Sequence, residues 1–275
     1  MSELRIDEGA GSFTFRDAAA GARGTMRVFS FRPPQRDARI IIAMHGLDRA
    51  AAAFRDVLAV EAARRGLIVL VPEFDAAAFP DHYAYNYGNA VAAPPATTIR
   101  PRDQWTFGIA ERLFDAAKAA LGSERAAFGL FGNSAGAQFV LRYLALNEAA
   151  RVDRAVAANS GWYMLPDLAV RYPEGMAGLD LDERDLHRYL GRPMTMLLGT
   201  ADTDSAAADL PRMEAAMKQG PHRLARGQWY FARCEQLAAR LGKPFGWTLE
   251  LVPGAGHVSQ AIYDRGIAIL AGQEP

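Results

Sequence analysis

From Ala38 to His257 the chain alternates two kinds of segment: short runs that are apolar at nearly every position, and longer amphipathic stretches. The runs are ARIIIAMHG from Ala38, GLIVLVPEF from Gly66, AAFGLFG from Ala126, DRAVAANSGWY from Asp153, RPMTMLLGTAD from Arg192 and GWTLELVPGAGH from Gly246. Stretches such as AAAAFRDVLAVEAARRG and WTFGIAERLFDAAKAALG fall between them with a helical period. A strand without polar alternation has no face to offer to water. Such strands interleaved with helices therefore build a mostly parallel sheet covered on both faces. Ahead of this series, SFTFRD and GTMRVFSFRP do alternate, and AAAGARG separates them. They predict a hairpin that adds antiparallel strands at one edge of the sheet. The expectation is one α/β domain over residues 1–275.

Two segments interrupt the rhythm. Residues 79–104 (FPDHYAYNYGNAVAAPPATTIRPRDQ) and 164–193 (MLPDLAVRYPEGMAGLDLDERDLHRYLGRP) are too long for ordinary connections. Structureless stretches of that length in a compact domain tend to be functional or disordered. Both leave the ends of parallel strands, the edge where open α/β sheets bind ligands. They are expected to form a small lid or pocket wall.

Charge and cysteine usage exclude several function classes. With 31 basic and 31 acidic residues the net charge is zero, and no basic stripe suits a nucleic acid or a membrane surface. No apolar run is long enough to span a bilayer. The N-terminal MSELRIDEGAGSFTF lacks the basic start and apolar core of a signal peptide, so the expected location is cytoplasmic. The single cysteine, Cys234, rules out an intrachain disulfide and reads as a buried apolar residue within a helix. Lys118, Lys218 and Lys243 are the only lysines, an arginine bias that reads as compositional drift.

Chemistry concentrates in AAFGLFGNSAGAQFVLRYLAL, where Gly132-Asn133-Ser134-Ala135-Gly136 joins a strand pattern to a helix pattern. Gly-x-Ser-x-Gly is weak by itself. Placed between strand and helix, it is the turn that holds a serine hydroxyl exposed, its glycines letting strand and helix approach without a Cβ clash. The plainer reading is a serine capping the helix. A serine nucleophile needs a base, and histidine has the right proton affinity. Of five histidines, His257 follows the last strand, behind Pro253-Gly254-Ala255-Gly256. The base in turn needs a carboxylate to fix its tautomer. LLGTADTDSAAADL supplies Asp202 and Asp204 just beyond a strand; the short turn favours Asp202, and the other residue is available to cap a helix over SAAADLPRMEAAMK. The oxyanion that forms during acyl transfer needs backbone N–H donors, for which Ala135 and Leu47 are the candidates. His45, just before Leu47, reads as a structural brace for that loop.

MHGLDR, FGNSAGAQF, LLGTADTD and PGAGH occur in the order seen in the α/β-hydrolases, and over residues ~38 to ~270 the chain resembles a serine esterase of that superfamily. Within it the chain is most similar to the poly(3-hydroxybutyrate) depolymerase and feruloyl-esterase branch. The resemblance implies an α/β-hydrolase fold, acyl transfer through a covalent acyl-enzyme, a Ser134-His257-Asp202 triad, and neither metal nor organic cofactor. DTDSAAADL, superficially like a calcium loop, lacks the required glycine and glutamate, and DLDERDLHRYL with His187 reads as a solvated helix face. The expected partner is a small-molecule ester. Trp105, Trp162 and Tyr163, bordering the two long segments, are candidate pocket residues, with core packing as the alternative role. Arg100 and Arg102 are candidates for a substrate carboxylate. An acyltransferase, a C–C-bond hydrolase and a non-catalytic ligand-binding member of the same fold remain open, as does the oligomeric state.

Overall fold

The chain runs β1 (Gly9–Arg16), β2 (Thr25–Arg32), β3 (Arg39–Met44), α1 (Ala51–Arg65), β4 (Leu67–Pro72), α2 (Gly108–Leu121), β5 (Phe128–Asn133) and α3 (Ala135–Leu146). It continues through β6 (Val152–Ala158), α4 (Glu183–Gly191), β7 (Met194–Gly199), α5 (Glu214–Met217), α6 (Arg223–Arg240), β8 (Trp247–Val252) and α7 (Gln260–Leu270). The computed structural model describes residues 4–17, 24–35, 37–94 and 96–272. All eight strands belong to one sheet, ordered β1-β2-β4-β3-β5-β6-β7-β8. β1 pairs antiparallel with β2, and β2 antiparallel with β4; every later pairing is parallel. This is the α/β-hydrolase arrangement, with its antiparallel strands at the N-terminal edge. The connector at 18–23 within the expected hairpin lies outside the described residues.

Strand periodicity divides the core in two. Ile40, Ile42 and Met44 of β3 point to the larger cluster, which α2, α3, α4 and α6 cover. Ile41 and Ala43 point the other way, to a smaller cluster closed by α1 and α7. With alternate side chains buried on opposite faces, no position of the central strands can be polar without losing hydrophobic stabilisation of about 1.5–3 kcal/mol for each large side chain. That is why these runs carry no polar alternation.

Two sequence readings change on contact with the structure. SAAADLPRMEAAMK is not a helix throughout: regular helix is confined to the four residues of α5, beyond Pro211, which cannot donate to a helical ladder. The arginine bias also has a structural use. Arg226, wholly buried, donates to the carbonyls of Gly161 and Gly220; Arg142 reaches Gln138 and Pro173 while lying over the rings of Tyr87 and Trp162. Arg32 and Arg55 likewise donate to backbone oxygens from buried positions. A planar guanidinium with five donors can tie together several carbonyls that a lysine ammonium would meet only as a point charge.

Candidate active site

Ser134 occupies the junction of β5 and α3 with φ 57° and ψ −114°. A left-handed φ at a residue with a Cβ costs on the order of 1–3 kcal/mol and persists only where the surroundings enforce it. Here Ser134 N–H donates to Ala158 O at 3.0 Å, and Gln138 N–H donates to Ser134 O at 3.2 Å. The flanking glycines are steric requirements. A Cβ on Gly132 would overlap the Gly136 carbonyl, and one on Gly136 would overlap the Met44 carbonyl. The loop after β3 thus presses directly against the first turn of α3, bringing the segments of Leu47 and Ala135 together.

His257 lies between two partners. Its Nε2 is 3.0 Å from Ser134 Oγ, and its Nδ1 is 2.9 Å from Asp202 Oδ2. Asp202 is 4% exposed, and its own N–H donates to Gly199 O in the turn that ends β7. Asp204 is exposed and accepts instead from Ala206 N–H at 2.8 Å, a local turn contact. The structure therefore places Asp202, and not Asp204, against the imidazole. A hydroxyl, an imidazole and a carboxylate joined in this order can move a proton from Oγ to Nε2 while the carboxylate steadies the charge left on the ring.

Several residues that support this chain escape sequence reading. Asn159, at the end of β6 with φ 48°, donates through Nδ2 to the carbonyls of Gly256 (3.3 Å) and His257 (3.2 Å), while its Oδ1 accepts from Gly199 N–H. It ties the histidine loop to the aspartate turn. An asparagine directly after an apolar strand, in AANSG, is the visible signal for such a left-handed residue. Arg223, at the start of α6 and 3% exposed, lies 3.6 Å from Asp202 Oδ1 and 2.8 Å from Asp209 Oδ1. Asp209 in turn stands 3.9 Å from His257 Nε2. Partial burial acts to raise the Asp209 carboxyl, but its hydrogen bond and charge contact with Arg223, together with His257, hold it below the ordinary range. Nothing in DTDSAAADL marks Asp209, nor anything in PHRLARG Arg223, because they come together only when α6 folds against the β7 end.

His45 braces the β3 loop. Its Nδ1 lies 2.8 Å from Gly46 O, and its Nε2 accepts from Phe74 N–H at 3.1 Å, a pattern that requires the neutral ring protonated on Nδ1. Complete burial pushes its pKa down to about 4, against the raising effect of the Gly46 carbonyl. Residues 74–85 complete the brace. Tyr85 Oη donates to His45 O at 2.6 Å, and the Arg49 guanidinium lies over Tyr85 while donating to the carbonyls of Phe74 and Phe79.

A cleft of about 440 Å³ opens beside Ser134 and His257. Its wall is Leu47, Phe54, Val57, Val258 and Tyr263, from the β3 loop, α1 and the α7 side. None of its lining residues belongs to 79–104 or 164–193. Trp105, Trp162 and Tyr163 do not line it either; all three are buried in the larger core. Trp105 Nε1 donates to Arg100 O, Trp162 packs edge-on against Tyr87, and Tyr163 stacks on Tyr230 at 4.5 Å. Large aromatic rings gain most where they are wholly buried, which draws them into the core and away from an open cleft. Arg102 is spent on the carbonyls of Leu146 and Leu179.

The fold has relatives among solved structures. The chain is 38% identical to poly(aspartic acid) hydrolase-1 from Sphingomonas sp. KT-1, over 98% of this chain and 100% of that one, with a TM-score of 0.91. It is 35% identical to LpqC, a poly(3-hydroxybutyrate) depolymerase from Bordetella parapertussis, over 97% of this chain and 91% of that one, at a TM-score of 0.90. An S-formylglutathione hydrolase from Agrobacterium tumefaciens shares the fold at 16% identity, over 98% and 97% of the two chains, with a TM-score of 0.62. No protein-family model and no curated protein matches the chain.

Proposed function

The chain belongs to the α/β-hydrolase family that includes the Sphingomonas poly(aspartic acid) hydrolase-1 and the Bordetella LpqC depolymerase, and on that premise we propose that it is a serine hydrolase cleaving carboxylic esters through an acyl-enzyme on Ser134. The observation that carries this reading is the bridge made by His257, 3.0 Å from Ser134 Oγ and 2.9 Å from Asp202, at the mouth of an apolar cleft.

In the proposed reaction Ser134 Oγ adds to the ester carbonyl as His257 Nε2 takes its proton. The Asp202 carboxylate accepts the Nδ1–H and stabilises the imidazolium. The backbone N–H groups of Leu47 and Ala135 receive the oxyanion, the role such donors have in acyl transfer. The ester C–O bond then breaks, and the alcohol leaves with the proton from Nε2. Water, deprotonated by the same nitrogen, attacks the acyl-enzyme; the carboxylic acid departs and Ser134 recovers its proton. The left-handed backbone of Ser134 supports this reading, since the exposure it gives Oγ offsets its strain only where the hydroxyl has work to do.

The test is hydrolysis of p-nitrophenyl esters from acetate to octanoate by wild type and by Ser134→Ala. Turnover that disappears in the variant supports the proposal, and the chain-length profile measures the cleft. Turnover that survives in Ser134→Ala contradicts it. Accumulation of acyl product on an added alcohol or amine in preference to water would replace hydrolysis with acyl transfer at the same serine.

A further inference from the structure

The cleft beside Ser134 combines an apolar wall with formal charges of one sign. Leu47 and Val258 stand 39% and 74% exposed at its rim, large for apolar side chains, and Phe54, Val57 and Tyr263 continue the surface inward. Apart from His257, the described lining residues with a formal charge are Asp48 and Asp209, both acidic. Asn133 also lines the cleft. It is 4% exposed, and its Oδ1 has no hydrogen-bond partner among the described residues. The cleft therefore presents acceptors beyond the triad, with the Tyr263 hydroxyl and the N–H groups proposed for the oxyanion as its neutral donors.

Nearby cations are already committed. Arg223 is buried between Asp202 and Asp209, and Arg49 lies over Tyr85 with its donors on the carbonyls of Phe74 and Phe79. A carboxylate brought into the cleft would meet two like charges and no free guanidinium or ammonium. Burying an ionised group without a partner is costly, and like charges at short range add to that cost. An uncharged alkyl or aryl group would gain from the apolar wall, and an ammonium group would gain from the two carboxylates.

Building on the serine-hydrolase reading, we propose that this cleft selects esters whose acyl group is uncharged or cationic and rejects those carrying a carboxylate, with Asp209, held in place by Arg223, as a specificity-determining residue and Asp48, which also lines the cleft, as its counterpart. Asp209 suits this role because its fixed carboxylate stands 3.9 Å from His257 Nε2, close to the reacting atoms, while remaining 60% exposed to whatever enters. The preference distinguishes this chain from any relative whose substrate is a polycarboxylate such as poly(aspartic acid).

The test compares kcat/KM for three p-nitrophenyl esters of similar size: 5,5-dimethylhexanoate, its 4-(trimethylammonio)butanoate isostere and the glutarate half-ester. Wild type should favour the neutral over the anionic ester by about tenfold or more, with the cationic ester at least equal to the neutral one. Asp209→Asn should shrink the neutral-to-anionic ratio about fivefold, and Asp48→Asn should shrink it less. A unit charge a few ångströms away in a water-like medium has about that effect. Raising the salt from 0.02 to 0.5 M should compress the wild-type ratio toward one, because exposed charges are screened over roughly 4–20 Å in that range. Each comparison is a ratio within one protein, so a loss of folded enzyme cancels. Equal or faster turnover of the anionic ester, or ratios unmoved by Asp209→Asn, would overturn the proposal while leaving the hydrolase reading intact. Inertness of wild type toward all three esters would instead count against the hydrolase reading. The corresponding alkylboronic acids, measured by calorimetry, would then read charge selection directly: tighter binding of the neutral than the anionic boronate supports it, and the reverse order overturns it.

Discussion

The two faces of the sheet next to Ser134 are built from different materials. On one, α2, α3, α4 and α6 close over Tyr85, Tyr87, Trp105, Phe107, Trp162 and Tyr163, and the rings fill the space. On the other, α1 and α7 meet the sheet with smaller residues around Phe54 and Tyr263, and the cleft opens there. Aromatic density therefore marks where this molecule is solid, and the open space lies where alanines and valines leave room. The aromatic side still serves the site indirectly. Tyr85 and Arg49 tie residues 74–85 to the β3 loop that carries Leu47, so a segment that never reaches the cleft helps to fix one of its walls.

The sharpest contrast between the faces is in what a substitution removes. Asp202→Asn should lower kcat/KM by about 10⁴ with little change in Tm, because the amide leaves His257 in the wrong tautomer. Asp204→Asn, two residues away with its carboxylate turned to Ala206 N–H, should stay within a factor of about 3 in the same assay. On the aromatic face, Trp162→Ala should destabilise the fold by about 3–5 kcal/mol, the usual cost of emptying a buried indole site, with the loss read by chemical denaturation. The folded fraction should keep its KM. A Trp162→Ala variant that is stable but has an altered KM would place the indole at the substrate and break the comparison.

A smaller effect tests the brace. With its pKa near 4, His45 is neutral in the folded protein, whereas in the unfolded chain it titrates near 6.5. The unfolded state thus binds more protons between these values, and stability rises with pH across them. The His45 contribution is fully present above pH 6.5 and is lost as pH falls toward 4, by about 2 kcal/mol between pH 7 and 5. His45→Gln should lose that part of the slope in urea melts at the two pH values. Smallest of all, Val57→Ala should shift the preferred acyl chain to a longer length, changing kcat/KM by at most about tenfold and stability by less than about 1 kcal/mol.

These contrasts also explain what was legible in the chain itself. The central strands were readable because burial on both faces removes polar alternation, and the turn at Ser134 because Gly132 and Gly136 answer to local sterics. Ser134, Asp202 and His257 follow the C-terminal ends of the parallel strands β5, β7 and β8, so all three come to the same edge of the sheet, which their places along the chain anticipate. Asp209, Arg223 and Asn159 were not readable as site residues. Their partners come from other elements, and a charge or amide in a loop gives no sign of which carbonyl or carboxylate it will meet. The aromatic residues misdirected attention for a physical reason: a ring near a strand end suits a pocket and a core equally in sequence, and only packing decides between them. The arginines were silent in the same way, since a buried carbonyl clamp and a solvated surface charge are written with the same letter.

The most direct test of the account is to treat the protein with an alkyl fluorophosphonate and map the adduct by peptide mass spectrometry, in wild type, Ser134→Ala and His257→Ala. The account predicts one adduct, on Ser134, absent from Ser134→Ala and formed at least about a hundredfold more slowly in His257→Ala, in which no base remains to take the hydroxyl proton. A label on any other residue, or an undiminished rate without His257, would contradict it.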